Sequence, residues 1–148
     1  LHCIVHLLMD SEFEKALRDL SDLDLMLKEH AGSPDFWESL LERAEDLGIG
    51  RLLFYGLRMT AKILATPIPE NFLAHCKARC APSNFLMLPL MEFLLLRVLQ
   101  EPLALNTSFE NKFAHFMMYL RGHWLRMPLK LLVPHLLRKF YSRLKNES

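Results

Sequence analysis

Apolar residues recur every three or four positions along most of the chain, and that spacing predicts helices. The clearest pair runs from Ser33 to Pro69. Phe36, Trp37, Leu40, Leu41, Ala44 and Leu47 repeat at helical spacing, with Glu38, Glu42, Arg43 and Glu45 between them. Ser33 is placed to cap this helix, and Pro34 suits its first position, where a missing N–H costs nothing. Gly48 stands where a helix end wants a left-handed residue, and Ile49 follows as the hydrophobic contact of such a cap. The second helix sets Leu53, Gly56, Leu57, Thr60, Ala61 and Leu64 on one face and stops before Pro67. Small residues at Gly56 and Ala61 leave room for a neighbouring helix to come close.

The flanking segments follow the same rule. Residues 1–9, LHCIVHLLM, read as the end of a helix. Asp10 or Ser11 can cap the next one, with Glu14 three residues after Ser11 as in a capping box. A helix over about 12–30 turns Phe13, Ala16, Leu17, Leu20, Leu23 and Leu27 inward. After Pro69-Glu70 comes a short helix over 70–79, and Ser83 is placed to cap a helix over 84–100. That helix is apolar nearly all round, which predicts a central position, with Pro89 kinking it or sitting in its first turns. Ser108 caps a helix over 109–121 that buries Phe109, Phe113, Phe116, Met117 and Leu120. A last helix, about 128–145, carries Leu129, Leu132, Val133, Leu136, Leu137, Phe140 and Leu144 on one side, with Pro134 implying a kink. Lys130, Arg138, Lys139, Arg143 and Lys145 occupy its other side, and its expected use is packing on the domain with that basic face in water. The predicted fold is all-α: seven to eight helices in antiparallel hairpins, a single irregular bundle over residues 1–148.

Composition agrees with that class. The chain has 148 residues, enough for one sizeable core, is 51% hydrophobic and holds only 5 glycines. Net charge is +1, so the whole molecule carries no nucleic-acid signature. The signs are unevenly placed. Residues 1–50 hold 12 acids and 4 bases, whereas residues 111–148 hold 8 bases and 1 acid. Either the two ends face each other or are simply solvated, or the basic end serves a phosphate-bearing ligand or an acidic partner. Arg121, Lys130, Arg138 and Lys139 are the candidate contacts for such a ligand. Cys3, Cys76 and Cys80 make no disulfide framework and fit a reducing cytoplasm. The longest apolar run, Phe85 to Leu96, is broken by Pro89 and Glu92 and is too short to span a bilayer, so no transmembrane segment is expected. Leu1 stands inside an apolar helical pattern, which points to a C-terminal fragment of a longer protein.

Catalytic patterns are weak. His2 and His6 share a helical face, but no further ligand follows at zinc spacing. His75, Cys76 and Cys80 cluster without the paired spacing of a zinc site. Asp22-Leu23-Asp24 looks like the Asp-x-Asp that holds magnesium in nucleotidyltransferases, where both carboxylates project from one strand. On a helix, residues two apart point to nearly opposite sides, so these two acids do not share a metal. His6, Asp22 and Asp24 are therefore read as structural polar residues, with Asp22 or Asp24 solvated or bonded to a neighbouring helix, His6 included. No Gly-rich phosphate loop, Gly-x-Ser-x-Gly or His-Glu-x-x-His occurs, and no catalytic or metal-binding residue is assigned. Asn106-Thr107-Ser108 is a formal glycosylation sequon without a secretion signal beside it.

One resemblance runs through these helices. Phe36-Trp37-Glu38-Ser39-Leu40-Leu41-Glu42-Arg43-Ala44-Glu45-Asp46-Leu47-Gly48 resembles a W-x-x-L-L-x-R-A-x-x-L-G stretch of the uncharacterised nucleotidyltransferase family of bacteria. Leu57-Arg58 through Leu64-Ala65-Thr66-Pro67-Ile68-Pro69 is similar to the stretch that follows it there, with Thr66 where that family tends to have Gly. His6 and Asp22-Leu23-Asp24-Leu25-Met26-Leu27 resemble its upstream helices, and Tyr119-Leu120-Arg121 is a fainter likeness in the tail. The resemblance covers roughly residues 1–70. It implies an accessory C-terminal helical domain, not catalytic alone, that covers an active site or shapes acceptor recognition. Magnesium, a nucleoside triphosphate and the catalytic acids are implied for a core upstream, a partner in cis, and the acceptor is left open. The alternative is a helical interaction module whose basic last helix docks on a protein or a membrane surface.

Overall fold

The turn at Gly48 organises the molecule, and its backbone shows why. Gly48 takes φ +67°, a left-handed conformation that glycine adopts without a Cβ penalty. Its N–H donates to the Glu45 carbonyl at 2.8 Å, and the Ile49 N–H donates to the Ala44 carbonyl at 2.8 Å. Together these two bonds close a Schellman motif and satisfy carbonyls that a helix end leaves open. In the computed structural model, which describes residues 1–9, 13–33, 35–82, 86–100 and 108–126, helices stand on both sides of this turn.

Those residues form seven α-helices and no strand. They are α1 (His2–Met9), α2 (Ala16–His30), α3 (Phe36–Asp46), α4 (Gly50–Leu64), α5 (Glu70–Cys80), α6 (Met87–Gln100) and α7 (Phe109–Arg126). A 3-10 turn, Phe13–Lys15, leads into α2, so the helix expected from residue 12 begins in a tighter turn. Among the described residues, no helix is long and apolar enough to cross a membrane.

The centre of the fold is α4, which touches α1, α2, α3, α5 and α6. Its Leu53, Phe54, Tyr55, Leu57, Met59 and Thr60 are all buried. Gly56 is the point of closest approach to α1: a Cβ there would lie 3.0 Å from Ile4 Cγ2. The expectation of a close neighbour at Gly56 is met, and Ile4 is that neighbour. Leu7, Leu8, Leu20, Leu23, Leu27, Leu41 and Trp37 complete the core around this contact.

Several expectations need correction. The central helix is α4 and not α6. Leu94, Leu95, Val98 and Leu99 of α6 are buried, but Met87, Leu90 and Phe93 are exposed. Pro89 sits in the first turn of α6, where its missing N–H is harmless. On α7 Asn111, Ala114, Met118 and Gly122 are buried, while Phe109, Phe113 and Phe116 are exposed. The small Ala114 lets α7 approach its neighbours on that side. Ser33 does not cap α3 with its side chain. Its carbonyl accepts the Phe36 N–H at 3.2 Å, and Asp35 occupies the cap position. Ser108 does cap α7: its hydroxyl accepts the Asn111 N–H at 3.3 Å. Asp10, Ser11, Pro34, Ser83, Asn106, Thr107 and the 128–145 segment lie outside the described residues.

Candidate functional site

The acidic pair on α2 is split by the helix. Asp22 is exposed, whereas Asp24 is 9% exposed and faces the loop after α4. Ala65 ends α4 in a left-handed conformation, φ 53°, which turns the chain so that Thr66 meets α2. The Thr66 hydroxyl donates to Asp24 Oδ1 at 2.5 Å, and Lys28 Nζ donates to Asp24 Oδ2 at 2.8 Å. Thr66 also reaches the Thr60 carbonyl at 3.3 Å, and Thr60 bonds back to the Gly56 carbonyl at 2.8 Å. The Lys28 ammonium and then the Thr66 hydroxyl hold the Asp24 carboxyl below its usual range, against the opposite push of burial. Both oxygens of Asp24 are thus engaged. Thr66 is the residue that makes this arrangement. His6 takes no part: it is exposed, with its ring edge-on to His2 at 4.4 Å.

A second polar cluster joins α4 to α6. Arg58 reaches Glu92 Oε2 at 3.1 Å, and Lys62 pairs with the other carboxylate oxygen. Burial, and the charge of Arg58 beside it, push the Lys62 ammonium below its usual pKa. Sequence reading passed over these residues because the partners stand 34 positions apart. A third cluster joins α3 to α5, where Arg79 pairs with Glu45 and approaches Glu38 at 3.7 Å. Cys80 lies against Gly50, and Cys76 is fully buried with its thiol pushed up to about 12, chiefly by desolvation.

Arg121 of α7 is the one candidate ligand contact within the described residues. Its NH1 donates to the Leu8 carbonyl at 2.9 Å, so it closes the C-terminal end of α1 from a position 113 residues away. Burial lowers its pKa, with Tyr55 acting the other way and Arg51 adding to the lowering. Burial in turn raises the Tyr55 phenol. Lys130, Arg138 and Lys139 lie outside the described residues.

The described residues hold no cluster of three or more His, Cys, Asp or Glu that could bind a metal ion. Asp22 and Asp24 in particular do not fit magnesium, since one faces water and the other is bonded to Thr66 and Lys28. No curated protein and no solved structure matches the chain. Residues 1–65, which end with α4 and the residue after it, match the family described as an uncharacterised nucleotidyltransferase.

Proposed function

We propose that this chain is the helical part of a nucleotidyltransferase-type protein. On this reading it lies beside a catalytic core carried in cis and shapes which acceptor reaches that core. The observation that supports it is that the family match, residues 1–65, ends with the central helix α4 and takes in the three helices before it, all of which pack on α4. The helices bring binding surface and not the reaction centre: Asp24 is committed to Thr66 and Lys28, so magnesium and a nucleoside triphosphate would be held by the core. Arg121 and the basic residues Lys130, Arg138 and Lys139 would meet the anionic groups of nucleotide or acceptor.

The test compares nucleotidyl transfer, with labelled nucleoside triphosphate and magnesium, by the core-bearing protein and by the 148-residue chain. Transfer by the longer protein and none by the chain is the expected result. Turnover by the chain alone overturns the proposal.

A further inference from the structure

Ten large apolar side chains are exposed among the described residues, and seven of them stand on α6, α7 and the residue before α6. Leu86, Leu90 and Phe93 follow one side of α6, with Met87 beside them. Phe109, Phe113 and Phe116 follow one side of α7. Both sets have spacings of four and three, so each forms a stripe along its helix. Arg97 joins the stripes. Its guanidinium stands 5.4 Å from the centre of the Phe93 ring and pairs with Glu110, which lies between Phe109 and Phe113 in the chain. The opposite sides of the same helices are in the core, through Leu95, Leu99, Ala114 and Met118. At about 200 Å² for a fully bared aromatic side chain, the four phenylalanines alone expose on the order of 450 Å². Leu86, Met87 and Leu90, each about half exposed, take the face past the roughly 300–600 Å² of the largest apolar patch on a typical monomer.

We propose that a second copy of this chain occupies this face, with α6 and α7 of the two copies packed across a two-fold axis as a four-helix bundle. Area and charge single out this occupant. With Arg97 and Glu110 between the stripes and exposed Lys112 beside them, the face comes to about 800 Å², which is what each partner buries in an interface of standard size. It is large enough for a dimer to hold without further contacts. Arg97 and Glu110 neutralise one another, so the face offers no block of one sign for an acidic or a basic partner to read. A copy of the same face meets no repulsion there. Phenylalanine, methionine and arginine are also the residue types enriched where protein surfaces meet. Two-fold symmetry makes every contact twice, so one apolar face serves both partners. The dimer does not depend on the nucleotidyltransferase reading, because it forms or fails in the 148-residue chain whatever a core elsewhere does.

The experiment is light scattering of the 148-residue chain across a concentration series. The mass should rise from 17.3 kDa to twice that value through the micromolar range. Phe113→Asp with Phe116→Asp should hold the chain at 17.3 kDa throughout, whereas Leu25→Asp, at an exposed apolar residue off this face, should leave the dimer intact. A wild-type chain that stays at 17.3 kDa at every concentration overturns the proposal and makes a core in cis, or another protein, the occupant. A dimer that survives the double substitution overturns it too, because its contact then lies elsewhere. Should the double variant not fold, methionine oxidation of the wild-type chain decides the matter. Met87 on this face and Met26 away from it are exposed alike, at 44% and 47%. As the dimer forms, Met87 should oxidise several-fold more slowly and Met26 at an unchanged rate. No slowing at Met87, or equal slowing at both, refutes the proposal.

Discussion

Thr66→Val keeps the branched shape of the side chain and deletes its hydroxyl. That hydroxyl donates at 2.5 Å to the carboxylate of a nearly buried Asp24. A hydrogen bond to an ionised acceptor contributes about 1.5–3 kcal/mol. The other partner, Lys28, lies one turn along the same helix with its side chain 46% exposed. Such a pair contributes only about 0.3–0.5 kcal/mol, because water screens it and two long side chains must be held still. Thr66→Val should therefore destabilise the chain by about 1.5–3 kcal/mol at pH 7, several times the effect of Lys28→Met. In an Asp24→Asn background the acceptor is neutral, and the same substitution should cost only about 0.5–1.5 kcal/mol. The pH dependence has a definite sign. Asp24 is held below its usual value of 3.8, so its contribution is complete above that value and is lost as pH falls through the lowered folded-state pKa. The difference between wild type and Thr66→Val should thus be constant near neutrality and shrink on acidification below 3.8. Urea unfolding followed by far-UV circular dichroism, from neutral pH downward, measures all of this. An identical cost in the wild-type and Asp24→Asn backgrounds, or a gap that widens in acid, would refute the reasoning.

Three further expectations follow from the packing. Gly56→Ala would set a Cβ 3.0 Å and 3.1 Å from the Cγ atoms of Ile4, a fully buried residue with a stiff χ1, so an overpacking cost of about 1–3 kcal/mol should outweigh about 1 kcal/mol of helix propensity. The melting temperature should fall, and in an Ile4→Ala background the same substitution should raise it. Cys76, buried and with its thiol pushed up to about 12, should stay unreactive toward a disulfide reagent at about pH 8 in the native chain and become titratable only in urea. Arg121→Met leaves the Leu8 carbonyl without its donor and should cost about 1–3 kcal/mol, with α1 amides exchanging faster by mass spectrometry.

How much of this was legible beforehand depends on the reach of each interaction. Most helix spans came through because spacing is local, although α7 runs on through Gly122 to Arg126 where an end at 121 was expected: Gly48, Ser108 and Pro89 each act within a turn of their own position, and each does what its residue type requires. Which helix lies innermost did not come through. Residues 84–100 are apolar nearly all round and read as the centre, yet burial depends on how many neighbours a helix meets, and α4 meets more. The inward face of α7 was misjudged for a related reason. The largest side chains, Phe109, Phe113 and Phe116, drew the assignment, while the packing side was chosen by small Ala114, which permits close approach. The polar pairs were the least legible. Asp24 finds Thr66 across 42 residues and Arg58 finds Glu92 across 34, and no periodic pattern reports such meetings. Thr66 is the donor that satisfies this buried acid. A glycine at that position would have no hydroxyl to give, so Asp24 would rest on its helical lysine alone and sit closer to its ordinary pKa. Substituting Thr66 and Asp24 together should therefore cost less than the two single changes combined.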